Sequence, residues 1–295
     1  MTEQAAARRM RLLLELAQTR GGKDLASYAH DYNVDERTIR RDVDFLQDVA
    51  GNAGQIGLQR GKVFAGRDGH GGGYFSGQVD QNQAPKQAIA RSIVESLPDN
   101  VALALTAGTT TYYVARQLRR TYVEDEKPRN LIAFTNSLPA LLELIAGGVS
   151  TGLIGEVYNA DDSAFHSHEF RSSFQASVAI VGASGVVANP TQGTLDLFSH
   201  RAEEASFLKQ LLAPIPELIV AVDATKLGHR HPWAFTNPAL LTGKTVRLFT
   251  TCLSERNRDM LEGLTAAAVR IGCTFTYHES QPIELDASDE AQRTA

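Results

Sequence analysis

The chain has 295 residues, 29 basic against 34 acidic, for a formal net charge of -5. That balance excludes a globally basic coat for nucleic acid or membrane, so any nucleic-acid contact must be local. Cys252 and Cys273 are too few for a disulfide scaffold, and no signal-peptide core or membrane-length apolar run stands out, so a soluble cytoplasmic protein without a membrane partner is expected.

At the N-terminus, Met10, Leu13, Leu14 and Ala17 fall at helical spacing, with Arg8, Arg9 and Arg11 expected on the surface. Gly21-Gly22 stops this helix, Leu25, Tyr28 and Ala29 mark a second, and Asn33-Val34 turns the chain. A third helix opens at Asp35, whose carboxylate can cap free amides, and runs to Leu46. On a helical wheel Ile39, Val43 and Leu46 share one sector, while Arg37, Arg40 and Arg41 project elsewhere with Asp44. One reading is a helix-turn-helix whose second helix enters the DNA major groove, with Arg37, Thr38, Arg40 and Arg41 as contacts. Gly57 to Phe64 would then form a two-stranded wing tipped by Arg60 and Lys62. The other reading is a three-helix cap with a solvated face, because Asp42, Asp44 and Asp48 dilute the arginines. The run Thr38-Ile39-Arg40-Arg41-Asp42-Val43, followed by Phe45-Leu46, resembles the recognition helix of DeoR-type transcriptional regulators, with Asp35 in the place of their capping Ser.

Gly66 to Gly77 is too glycine-rich to suit a helix and reads as a hinge. From Pro85 the pattern alternates. Strands are expected at 101–106, 131–135, 150–154, 178–181, 218–222, 246–250 and 274–277, and helices at 85–97, 110–120, 138–146, 198–212 and 255–271. Such alternation means an α/β domain with a largely parallel sheet. The expected partition is 1–65 for DNA binding, 66–84 as linker, 85–280 as effector domain and 281–295 as a polar tail.

Ligands of open α/β sheets sit at the carboxyl ends of strands, which here are Thr106 to Thr111, Thr135-Asn136-Ser137, Gly155-Glu156, Gly182 to Gly185 and Asp223 to Lys226. At the first of these a strand enters a Gly/Thr turn and leaves as a helix, whose first-turn amides and partial positive charge suit a phosphate. Thr106, Gly108, Thr109, Thr110, Thr111, Asn136 and Lys226 are the candidate ligands for a small phosphorylated sugar or polyol, although Gly, Ser and Asn also serve as plain turn formers. This half resembles the DeoR-type effector domain through Lys86-(x)2-Ile89-Ala90, Ala107-Gly108-Thr109-Thr110-Thr111, Phe134-Thr135-Asn136-Ser137-Leu138, Gly182-Ala183-Ser184-Gly185-Val186 and Asp223-Ala224-Thr225-Lys226-Leu227-Gly228. The resemblance implies a winged helix-turn-helix followed by a domain like ribose-5-phosphate isomerase and glucosamine-6-phosphate deaminase. It also implies that Gly108 to Thr111 hold a phosphate and that Asn136 and Lys226 line the pocket. The chain departs from the family at Ser184, where an acid is usual, and at Glu156, where a glycine is usual.

His166-x-His168 and His229-x-His231 lack the further ligands a metal needs, so no metal is expected, and Trp233 reads as packing. Of Glu203-Glu204, one acid is expected in solvent and one in a local pair. Together these features describe a repressor that binds double-stranded operator DNA as a dimer or tetramer, under control of a phosphorylated sugar and without a cofactor. The rival is a sugar-phosphate isomerase or deaminase, for which Glu156, Asp196 and Glu203 are the acids on offer, none in a recognisable catalytic motif.

Overall fold

The computed structural model describes residues 23–50, 56–59, 62–65, 74–79, 81–124, 130–159, 162–167 and 174–281, and positions 5, 8, 9, 11, 12, 15 and 16. Those early positions are all helical, with Leu12 and Leu16 buried, whereas Met10, Leu13, Leu14 and Ala17 lie outside the described residues. Arg8 and Arg9 are not the surface charges expected. Their Nε atoms donate to Asp42 Oδ2 at 2.5 Å and Oδ1 at 2.6 Å, and Asp42 is only 1% exposed. Asp42 is thus a buried counter-ion, since a carboxylate out of water must be paired.

A short strand β1 (Lys23–Asp24) leads into α1 (Leu25–Asp31) and α2 (Glu36–Ala50), and the hairpin β2 (Ile56–Gln59) and β3 (Lys62–Ala65) follows. Asp35 caps α2 as its position suggests: its carboxylate accepts the Thr38 amide at 2.6 Å, which holds its own pKa below the usual carboxylate value. Ile39, Val43 and Leu46 are buried with Leu25, Tyr28 and Val63 in one cluster, and Arg37, Arg40 and Arg41 are exposed. Gln59 pairs antiparallel with Lys62, which opens β3, while Arg60 lies outside the described residues.

The stretch expected to be a hinge becomes helical at α3 (Tyr74–Val79); residues 66–73 lie outside the described set. The correction has a packing cause. Phe75 is 8% exposed and meets Tyr112 edge-on, and Val79 packs on a core cluster, so apolar contact outweighs the glycine cost. Then come α4 (Gln83–Ser96), β4 (Ala102–Leu105), α5 (Thr109–Glu124), β5 (Ile132–Thr135), α6 (Leu138–Ala146), β6 (Ser150–Leu153), β7 (Val157–Asn159), β8 (Ala164–His166), β9 (Val178–Val181), β10 (Gly185–Asn189) and β11 (Thr194–Ser199). The chain continues through α7 (Ala202–Leu212), β12 (Glu217–Ala221), β13 (Trp233–Ala234), α8 (Pro238–Leu241), β14 (Thr245–Thr250), α9 (Glu255–Ala268) and β15 (Thr274–Glu279).

Seven of these strands form one sheet in the order β15-β14-β12-β9-β4-β5-β6, with every neighbouring pair parallel. Alternation along the central strands fills both faces. Leu218, Val220, Ala179, Val181 and Ala104 point into one cluster with α7 and α9; Ile219, Val178, Ile180, Leu103 and Leu105 point into the other with α4 and α5. A small antiparallel sheet, β10-β11-β13, packs on the α7 side. The span 198–212 is not one helix, because Phe198 and Ser199 finish β11 and α7 starts only at Ala202. Among the described residues no helix is long and apolar enough to cross a membrane.

Candidate functional site

Strands β12, β9, β4 and β5 are consecutive in the sheet, so the loops leaving their carboxyl ends converge. Those of β4, β9 and β12 border a cavity of about 390 Å³. From the β4 loop come Ala107, Gly108, Thr109 and Thr110; from the β9 loop Gly182, Ala183 and Ser184; from the β12 loop Asp223, Thr225 and Lys226. Phe198 to Arg201 and Glu204 arrive from β11 and α7, Asp162 from the β7–β8 turn, and Phe75, Gln78, Gln81, Asn82 and Lys86 from α3 and α4.

The β4 loop is braced from behind. Thr106 is 1% exposed, and its hydroxyl accepts the Gly182 amide at 3.4 Å. Asn136, also 1% exposed, takes the Ala107 amide on Oδ1 at 2.7 Å and donates from Nδ2 to Phe165 O at 3.1 Å. Thr111 is fully buried and donates to Gly108 O at 3.0 Å. Gly108 has φ of 151°, a conformation that favours glycine, and an added Cβ would lie 3.1 Å from the Thr111 hydroxyl. Tyr112 N donates to Gly108 O at 3.0 Å, which closes the first turn of α5 and leaves the preceding amides without intrahelical partners. Of the seven effector residues named from sequence, Gly108, Thr109, Thr110 and Lys226 therefore line the cavity, while Thr106, Thr111 and Asn136 shape the loop behind it.

The charges around the cavity are mostly committed to the protein. Lys86, 3% exposed, donates to Gln78 O and Gln81 O, both at 2.6 Å. Arg201 lies 3.1 Å from Asp162, and the Asp223 carboxylate accepts the Thr225 amide at 3.0 Å and the Thr225 hydroxyl. The Ser199 hydroxyl donates to Glu204, whose carboxyl is nevertheless pushed up by burial, with Asp162 adding repulsion. Burial, then neighbouring His231 and Lys226, lowers the His200 pKa, which keeps that imidazole neutral at neutral pH. Its ring centroid is 4.0 Å from that of His231. Among the described residues Lys226 has no acidic partner, and it faces the same cavity as the α5 amides.

Sequence reasoning missed Asp162, Ser199, His200, Arg201, Glu204 and the α3 residues, because none sits in a motif and only the tertiary fold gathers them. The Glu203-Glu204 pair was the available signal, and the two divide as expected: Glu203 is exposed and Glu204 bonds locally. Glu156 is exposed, Asp196 accepts the Thr194 hydroxyl at 2.8 Å, and neither lines the cavity. His166 is partly buried against the Phe207 ring and lies 3.6 Å from Asp162; His168 is outside the described residues. His229 is exposed and Trp233 is 48% exposed. Among the described residues no three His, Cys, Asp or Glu side chains gather as a metal site.

The model of the DeoR C-terminal sensor domain matches residues 81–242. The chain is 24% identical to the HTH-type transcriptional repressor CsqR of Escherichia coli, over 77% of this chain and 82% of that one. It is 22% identical to the L-fucose operon activator of Haemophilus influenzae, over 73% and 81% of the two chains, and 25% identical to the HTH-type transcriptional regulator GlpR of Haloferax volcanii, over 76% and 83%. Among solved structures, ribose 5-phosphate isomerase A of Methanocaldococcus jannaschii aligns with a TM-score of 0.37 and 19% identity, over 48% of this chain and about half, 53%, of that enzyme.

Proposed function

The chain belongs to the DeoR family of transcriptional regulators, and we propose that it binds operator DNA through α2 while a phosphorylated sugar in the β4–β9–β12 cavity sets that affinity. In this reading α1, the turn at Asn33 and α2 are a helix-turn-helix, the β2–β3 hairpin is its wing, and Arg37, Thr38, Arg40, Arg41, Arg60 and Lys62 meet DNA. Helix α3 belongs with the sensor, which runs from Tyr74 to about Ser280. Two copies or more act together, since one such module buries too little surface for operator specificity. The protein works in the cytoplasm and needs no metal or cofactor.

The observation that carries the proposal is one cavity bordered both by the first turn of α5 and by Lys226. Backbone amides, threonine hydroxyls and an ammonium suit a phosphoryl group, and His200, Ser199 and Arg201 suit sugar hydroxyls. The role is binding without turnover. Glu204 and Asp223 are each engaged by a neighbouring hydroxyl, and Arg201 lies 3.1 Å from Asp162, which supports that reading.

Thermal melts against a panel of aldose, ketose and hexosamine phosphates test this directly. An effector at about a hundredfold excess over its Kd stabilises by about 2.7 kcal/mol, roughly 5–10 °C for a domain of this size. Thr109→Val and Lys226→Ala should each weaken its binding about tenfold or more, the loss of one charge-assisted hydrogen bond. The reading fails if no panel member raises Tm, if both variants respond as the parent does, or if the protein turns a sugar phosphate over.

A further inference from the structure

One wall of the cavity is built by chain that precedes the sheet. Phe75 and Gln78 of α3, then Gln81 and Lys86, border the same space as Gly108–Thr110. With six residues, α3 is far too short to hold itself together in water. Three ties fix it. The buried ammonium of Lys86 caps its end at Gln78 O and Gln81 O, 2.6 Å each. The Tyr113 hydroxyl donates to Val79 O at 3.2 Å, and Phe75 meets Tyr112 edge-on with ring centroids 5.6 Å apart.

The last two ties come from α5, whose first turn borders the cavity. Tyr112 closes that turn through its amide to Gly108 O at 3.0 Å, so the anchors of α3 stand one turn from where a phosphate would sit. Lys86, the third tie, borders the cavity itself. In sequence, α3 is also the first element after the glycine tract that leads from the N-terminal unit.

Resting on the pocket reading above, we infer that Lys86 and Tyr113 are positioning residues that, with α3, convert occupancy of the cavity into order at residues 74–82. A dianion on Gly108–Thr110 adds attraction for the Lys86 ammonium and fixes the turn that carries Tyr112 and Tyr113. Both effects tighten the hold on α3. Coupling requires such differential contact, because a ligand touching only the rigid sheet loops would shift nothing beyond them.

Hydrogen exchange on the full chain tests this, with inorganic phosphate as one probe and the panel member that raises Tm most as the other. In the parent, either probe should slow exchange at 106–112 and also slow 74–82 by about fivefold or more, the lower bound of ordinary coupling. In Tyr113→Phe, which removes one hydroxyl outside the cavity, slowing at 106–112 should persist while that at 74–82 falls to within about twofold of the ligand-free rate. Lys86→Met should behave likewise, its own affinity measured alongside; Tyr113→Phe decides the matter should Lys86→Met not fold. Unchanged exchange at 74–82 in the parent, or equal slowing in parent and Tyr113→Phe, overturns the inference and leaves the pocket standing. No slowing at 106–112 by either probe overturns the pocket reading, and the inference with it.

Discussion

Glu204 lies in the first turn of α7, at the edge of the cavity, with the Ser199 hydroxyl on its carboxylate. Burial raises its pKa despite that hydrogen bond, so the folded state holds the proton more tightly than the unfolded chain does. The sign follows. Stability from this group is fully present below the ordinary carboxylate pKa and is lost as pH rises from there through the raised value, at no more than about 1.4 kcal/mol per pH unit. Glu204→Gln should therefore match the parent in acid and exceed its Tm increasingly toward higher pH. Tm curves that stay parallel across that range would show the carboxyl to be solvated. Asp42 makes the complementary point about what a sequence displays. Its pattern position reads as one more surface acid on an arginine-rich helix, yet it is 1% exposed and binds Arg8 and Arg9. Periodicity assigns a residue to a side of its own helix, and carries no information on what another helix, over thirty residues away, brings to that side.

At the scale of elements, all seven strands of the main sheet were legible, most plainly the central β4, β9 and β12, each a short apolar run bounded by turn residues and buried on both faces. The β10-β11-β13 sheet and the β7–β8 hairpin were not. Asp196 and Thr194 dilute β11, β13 has two residues, and no glycine or proline separates β11 from α7, so the helix expected at 198–212 took in the last two residues of β11. These unseen pieces deliver Asp162, Ser199, His200 and Arg201, which is why only half of the candidate site could be named beforehand. The junction of the small sheet with the Lys226 loop is tight. Gly228 N donates to Val186 O at 2.7 Å, and a Cβ on Gly185 would press on the His229 carbonyl and lie 2.9 Å from His231 Cδ2. Gly185→Ala must push the 227–231 loop outward, at a cost of about 1–3 kcal/mol. A lower Tm together with weakened sugar-phosphate binding and unchanged helix content is expected. Parent-like binding would mean that the loop yields without moving Lys226.

For the whole molecule, a net charge of -5 sets the terms on which DNA can be approached. The overall field repels the phosphate backbone, so attraction must come from local cations. Arg8 and Arg9 are already committed to Asp42, whereas Arg37, Arg40 and Arg41 are exposed along α2. Binding to promoter DNA should accordingly weaken steeply with salt, each neutralised phosphate contributing about 0.9 to the slope of log K against log salt. Anisotropy titrations at several salt concentrations then separate two roles. An arginine that meets phosphate, once replaced by alanine, lowers the slope by about 0.9 per copy and weakens all sequences alike. One that reads a base edge leaves the slope nearly intact and costs about 1–3 kcal/mol on the operator alone. Arg40→Ala and Arg41→Ala should each fall into one of these classes. If both bind promoter DNA with parental affinity and slope, α2 is a solvated helix face and the DNA-contacting surface lies elsewhere.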